Sequence, residues 1–279
     1  MSKKKIITQL LLIVGMAIIC IIWMIPLLFI VLTSFRTNDS VSYDGFMFFP
    51  KEWTFENYIT IFSNISGSPV FAWLINSLIV AVVSSLLTVL IASLSAFAYA
   101  RLRFKGKKLL FSILMLTMMI PSVISLVPNY LTISRLGLKN TLTALIIPGL
   151  GGVANIFLIR QFLYGIPKEL DESALLDGAG YFRLFLHIIL PQMVPILVVV
   201  GLNTFLGAWN DLLWPLIINT DNSMRTMTSG LSVITSKYDR QYATIMAATV
   251  ISAVPVLVVY CFAQKYLIRG ISLTAGMKE

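Results

Sequence analysis

Residues 167–191 read PKELDESALLDGAGYFRLFLHIILP, from Pro167 to Pro191. No longer stretch between Leu109 and Asn219 mixes charge of both signs with helix formers, and long apolar runs flank it. Pro167 suits the first position of a helix, where its missing N–H is not needed. Glu169, Asp171 and Glu172 follow in the first turns, where the positive end of the helix dipole favours carboxylates. Ala174, Leu175, Gly178, Ala179, Phe182, Phe185, Leu186 and Ile189 fall on one helical stripe, with the charged residues largely elsewhere. The spacing predicts an amphipathic helix, or two short helices jointed near Gly178 and Gly180, lying at a membrane surface until Pro191 begins a span. A helix that only rested on an anionic leaflet would carry Lys and Arg on its polar face. This one carries Glu169, Asp171, Glu172 and Asp177. Gly178 and Gly180 weaken a helix, which points to a close backbone approach. Both features favour a protein partner over lipid.

The surroundings of this segment set the class. Of 279 residues, 58% are hydrophobic and only 12% charged, and the mean hydropathy is +0.89. The charges cluster between long runs that have few or none, the pattern of a polytopic helical membrane protein, since one span needs ~20 apolar residues. Lipid offers backbone groups no partners, so helices satisfy them internally; the ~10-residue alternation of a β-barrel is absent from the sequence. Cys20 and Cys261 sit inside apolar runs and read as packing residues, and one histidine, His187, argues against a His-based metal site.

Six spans are expected: 10–33, 70–100, 109–130, 142–162, 192–215 and 242–262, with the charged segment at 164–191 and a basic tail at 264–279. The first loop, 34–69, is polar, with a short helix near Phe55–Phe62 capped by Thr54. In the second span Ser84, Thr88, Ala92, Ala96 and Ala100 recur every four residues, and Ser77, Ala81 and Ser85 form a second row. Such rows let helices approach closely in lipid. Pro121 and Pro128 are expected to kink or end the third span. Gly149 to Gly152 mark a flexible or closely packed point in the fourth.

Six spans put both termini on one side. That side carries 14 of the 21 Lys and Arg residues, five of them between Arg101 and Lys108, and the other side carries seven. The positive-inside rule therefore places both termini in the cytoplasm. The whole excess charge of +9 lies on that face, so the basic character reflects topology and anionic lipid rather than nucleic acid.

The pattern Glu172-Ser173-Ala174, three residues, Gly178, nine residues, Ile188, one residue, Leu190-Pro191 resembles the EAA loop of the membrane-spanning subunits of binding-protein-dependent ABC importers. Ser173 stands where alanine is usual. Residues 208–215, AWNDLLWP, resemble a fifth-span signature of the carbohydrate branch, the maltose-permease-like subunits. Residues 264–279 resemble that branch's tail, with Glu279 where glycine is usual. The resemblance implies an all-α, six-span type I importer permease fold, in a bacterial or archaeal cytoplasmic membrane.

It also implies a mechanism. The loop would form a coupling helix docked in a cleft of a cytoplasmic ATPase, with Glu172, Ser173, Ala174, Gly178, Ile188, Leu190 and Pro191 as its signature. Arg269, Gly270, Gly276 and Lys278 of the tail would reach the ATPase as well. The implied partners are a second permease subunit, two ATPase subunits, an extracytoplasmic solute-binding protein and membrane lipid. The sequence has no G-x-x-x-x-G-K-[ST] phosphate cradle, so ATP and Mg would belong to the partner and this chain would carry no cofactor and no catalytic site. Asn203, Thr204, Trp209, Asn210 and Asp211 are expected to line a sugar route, since sugars favour amide and carboxylate hydrogen bonds beside an aromatic face. An aromatic interfacial belt is the competing role for Trp209 and Trp214. Arg160 and Asn155 read as anchor and packing residues. A related solute such as glycerol phosphate is the alternative cargo. A secondary transporter is the alternative class, but it would carry inverted repeats and ionisable residues at mid-membrane.

Overall fold

The computed structural model describes residues 3–63, 68–237 and 241–276, with side chains outside 3–6, 235–237 and 267–276. Among the described residues there is no strand. The helices are α1 (Lys3–Ser34), α2 (Asn38–Tyr43), α3 (Glu56–Phe62), α4 (Val70–Arg101), α5 (Lys107–Thr117), α6 (Leu126–Arg135), α7 (Thr143–Ile146), α8 (Val153–Tyr164), α9 (Glu169–Leu176), α10 (Tyr181–Leu184), α11 (Leu190–Asn210), α12 (Leu213–Ile218), α13 (Met227–Lys237) and α14 (Tyr242–Gly276). Four helical runs are long and apolar enough to cross a membrane, and two bent pairs raise the number to six if each pair is one span.

The helix boundaries follow local chemistry. The axis turns by 91° between α5 and the Ser122–Arg135 segment. Pro121 lies at that break, where it has no N–H to donate and disfavours a helical residue before it. A second bend, of 48°, separates the Thr143–Gly149 segment from α8 at Leu150 to Gly152. The fifth apolar run differs from the expected 192–215: it begins at Tyr181 and ends at Asn210, because Asp211 adopts an extended backbone and α12 starts separately. The last helix passes through 262 to Gly276, so the first part of the expected tail is helical.

Two compact units divide the chain. One comprises residues 1–71 and 230–254. Its buried Asn57 donates to Ser34 O (2.9 Å) and Arg36 O (2.7 Å) and accepts from Thr244 Oγ1 (3.1 Å). Asn38 Oδ1 accepts from Ala243 N (3.0 Å), capping the first turn of α14 from a distant loop. Thr54 Oγ1 accepts from Glu56 N (3.1 Å) at the start of α3, as its sequence position suggested. The apolar side chains of α1 from Ile7 to Val31 are mostly exposed. Cys20 is exposed with them and Cys261, in the other unit, is exposed too, so neither packs a core.

The other unit comprises residues 72–229 and 255–279. Its core gathers Ala92, Ala96 and Ala100 of α4 with Ile156, Ile159 and Leu163 of α8 and Met193 and Val200 of α11. All five residues of the Ser84-to-Ala100 row are buried, because side chains this small let backbones approach. At the other end of α4, Ser77 Oγ accepts from Met227 N (2.7 Å), and Asn76 Nδ2 donates to Ser223 O (2.8 Å) and Arg225 O (3.0 Å). These bonds fasten the loop after α12 to α4.

Candidate docking site

The charged segment is two short helices, and its first is anchored by an ion pair. Arg101, the last residue of α4, places Nε 3.0 Å from Asp171 Oδ2 and donates from Nη2 to Ile166 O (2.7 Å). The Arg101 side chain is 3% exposed and that of Asp171 12%. Burial raises the Asp171 carboxyl above its ordinary range; Arg101 pulls it back down and Glu172 pushes it up. Asp171 Oδ1 is buried without a hydrogen-bond partner. Lys107 Nζ donates to Leu102 O (2.8 Å) and Ala100 O (3.4 Å), satisfying carbonyls at the end of α4. Two cations of the 101–108 run fasten the end of α4, Arg101 to α9 and Lys107 to the closing carbonyls.

Gly178 ends α9. Its φ is +80°, Gly178 N donates to Leu175 O (3.1 Å) and Ala179 N to Ala174 O (3.0 Å). This is the paired 5→2 and 6→1 bonding of a left-handed helix stop, which favours glycine. A Cβ on Gly178 would meet nothing within 4 Å in this chain. The glycine is therefore required by backbone conformation here, and no close approach within the chain accounts for it.

The joint from Asp177 to Gly180 resets the helical phase. Ala174 is buried before it, and Leu184, Phe185 and Ile189 after it, packed with the α4–α8–α11 core. The single stripe expected from 174 to 189 is corrected accordingly: Phe182 is 71% exposed and Leu186 is also exposed. Leu176, in the last turn of α9, is 88% exposed, and Tyr181 is exposed beside Phe182 in sequence. Two large apolar side chains are thus held in the open by short helices anchored through the buried Asp171, Ala174 and Leu184. Phe185–Ile189 is one π-helical turn, with Leu190 N bonded to Phe185 O. Such a turn relieves the ladder where Pro191, lacking an N–H, enters α11.

The expected coupling residues therefore fall into two groups. Glu172, Ser173 and Gly178 are exposed, and Ser173 Oγ donates to Leu170 O (3.1 Å). Ala174 is buried, and Ile188 and Leu190 pack partly against the core. Pro191 marks the joint of the π turn with α11. Leu176, Phe182, Arg101 and Asp171 were absent from the expected site. The charge of Arg101 at the end of an uncharged run was a visible signal for the ion pair, whereas the exposure of Leu176 and Phe182 depends on the phase change. Arg269, Gly270 and Gly276 fall within α14, their side chains outside the described residues, and Lys278 lies outside the described residues altogether.

Of the expected pathway residues, Asn203 and Asn210 are exposed on α11 with Gly207 between them on the same face. Thr204 Oγ1 donates to Val200 O (2.9 Å) and accepts from Asn155 Nδ2 at 3.5 Å. Asp211 Oδ1 accepts from Trp214 N (3.4 Å) just after α11. Trp209 is corrected: it is buried, its ring stacked 5.7 Å from that of Phe205, and so does not face an open route. Trp214, half-buried, donates from Nε1 to Ala144 O (2.9 Å). Arg160 lies 3.8 Å over the Phe111 ring and 4.7 Å over that of Tyr164, a cation–π anchor. No group of three or more His, Cys, Asp or Glu residues suited to a metal occurs among the described residues.

Residues 88–273 match the family described as the binding-protein-dependent transport system inner membrane component. The arabinooligosaccharides transport system permease protein AraQ of Halalkalibacterium halodurans is 33% identical over 270 residues, covering 96% of each chain. The trehalose/maltose transport system permease protein MalG of Thermococcus litoralis is 33% identical over 98% of each chain. The diacetylchitobiose uptake system permease protein NgcG of Streptomyces coelicolor is 31% identical over 90% of this chain and 83% of that one. Among solved structures, a chain of a bacterial ABC transporter involved in import of the acidic polysaccharide alginate superposes with a TM-score of 0.80 at 20% identity, covering 96% of this chain and 99% of that one. The last likeness establishes the fold, that of a type I importer permease.

Proposed function

The chain belongs to the binding-protein-dependent transport system inner membrane components, a family of multi-pass transport subunits rather than enzymes, and on that premise we propose that it forms half of the translocation pathway of an ATP-driven sugar importer. Oligosaccharides are the proposed cargo, since relatives over most of the chain carry arabinooligosaccharide, diacetylchitobiose and trehalose/maltose names. A second permease subunit completes the pathway, a solute-binding protein delivers the cargo, and two ATPase subunits supply the energy. Both termini and the 164–191 segment face the cytoplasm.

The observation that carries the coupling role is the exposure of Leu176 and Phe182 beside the free acidic edge of α9. Large apolar groups next to charged ones, on a rigid support, suit a protein cleft. Ion-pairing of Asp171 to Arg101 makes α9 an extension of α4. A push on α9 would then move a core helix, and with it the pathway, as a rigid body between two states. The exposed Asn203 and Asn210 of α11 provide amides for sugar hydroxyls.

The test is co-purification and uptake. A membrane extract should yield an ATPase subunit bound to this chain, and labelled-oligosaccharide uptake should stop on ATP depletion. Uptake that survives ATP depletion and collapses with the proton gradient would overturn the proposal.

A further inference from the structure

The loop after α1 is built inside out. Arg36 is 1% exposed, and its guanidinium is enclosed by the loop's own backbone. Nη2 donates to Ser40 O (2.8 Å) and Ser40 Oγ (3.1 Å), and Nη1 donates to Gly45 O and Met47 O (3.4 Å each). The aromatic side chains turn the other way: Phe46 is 81% exposed, and Tyr43 and Phe49 are exposed as well. In water the carbonyls of such a loop need no buried cation, because the solvent satisfies them. Carbonyls satisfied from within and rings turned outward is the arrangement that a lipid phase demands. The expected polar loop 34–69 thus carries an apolar outer surface between Tyr43 and Phe49.

The height of that surface is set by α1. The Phe46 ring stacks on that of Phe29, centroids 4.9 Å apart and planes at 13°, and Phe48 lies 6.4 Å from the same ring. Phe29 precedes the end of α1 at Ser34 by five residues, about 7.5 Å at about 1.5 Å per residue. The loop therefore folds back beside the apolar run, where Leu27, Leu28 and Val31 are exposed. Its rings continue the apolar surface of a span, near the end of that span, where aromatic side chains concentrate at the membrane–water boundary. The nearest charges are matched. Asp44 Oδ1 pairs with Lys51 Nζ at 3.0 Å, and Asp44 Oδ2 accepts from Ser40 Oγ at 3.0 Å. A soluble protein that docked here and left would return these rings to water at each departure, whereas lipid covers them throughout.

We propose that residues 43–49 form an interfacial anchor, seated in the leaflet at the Ser34 end of α1 with Phe46 among the upper acyl chains. The inference needs α1 to span the membrane, and on the topology proposed above the leaflet is the outer one. It is independent of cargo and of ATPase coupling.

The test is a depth measurement on the assembled transporter in liposomes of phosphatidylethanolamine and phosphatidylglycerol. Phe46→Cys, in a chain with Cys20→Ala and Cys261→Ala, carries a nitroxide. Its relaxation by oxygen, which concentrates in acyl chains, is compared with that by a water-soluble nickel chelate. Oxygen should dominate, and calibration with spin-labelled lipids should place the label about 5–10 Å into the headgroup–acyl boundary. Dominant relaxation by the nickel chelate would show a loop in water and overturn the proposal. A label shielded from both reagents would show a protein cover, by the second permease subunit or the solute-binding protein, and overturn it as well. If the chain without cysteines does not assemble, benzoylphenylalanine in place of Phe46 in the otherwise native chain decides. Illumination should then give lipid adducts, and adducts to a protein instead would overturn the proposal.

Discussion

Replacing Asp171 by asparagine keeps the shape of the side chain and removes the charge that faces Arg101 Nε at 3.0 Å. Breaking a buried ion pair from one side costs about 3–5 kcal/mol, because the remaining charge has lost both partner and water. Two features place this site at about 3 kcal/mol, the low end of that range. Arg101 keeps its bond from Nη2 to Ile166 O, and burial already disfavours the ionised form of Asp171. Arg101→Gln should destabilise comparably. The double variant should cost less than the two singles together, with a coupling of about 1–3 kcal/mol. Thermal unfolding of the detergent-solubilised chain, followed by size-exclusion fluorescence, gives all three values. Strictly additive losses would refute the ion pair as the element joining α9 to α4.

Three further substitutions test the local structure. Gly178→Ala should cost about 1–2 kcal/mol because φ is +80°, whereas Gly178→Asn, larger but tolerant of that backbone, should be milder in unfolding experiments; the reverse order would point to a steric limit instead. Ser77→Ala should cost about 1–3 kcal/mol, since it leaves the buried Met227 N–H unpaired, and limited proteolysis should show the loop after α12 loosened. Asn38→Ala should cost about 1 kcal/mol by uncapping α14 at Ala243, with faster amide exchange confined to the first turn of that helix.

The membrane class and the long helices could be read from apolar runs because a bilayer imposes both composition and length. The rows of small residues in α4 foretold its buried face for the same reason: only small side chains permit that approach. Proline positions foretold the break near Pro121 but not its 91° angle, which depends on what packs on either side. The charged segment was legible as two short helices jointed near Gly178 and Gly180. Its exposed face was not legible, because periodicity assumes an uninterrupted helix and the stop at Gly178 shifts the phase, turning Phe182 outward and Leu184 inward. Trp209 shows the limit from another side. A tryptophan between polar residues near a helix end suits a sugar, a lipid interface or a core equally well, and only its stacking on Phe205 settles which. The Arg101–Asp171 pair joins residues 70 positions apart, and no local pattern could have matched them.

The docking role of the 164–191 segment is tested most directly by substituting Leu176→Asp together with Phe182→Asp and measuring how much ATPase co-purifies with the chain from solubilised membranes. Both side chains are exposed in this chain, so the variant should insert and remain monodisperse. The account predicts that the ATPase is lost and oligosaccharide uptake with it. Full ATPase recovery and undiminished uptake by that variant would contradict it.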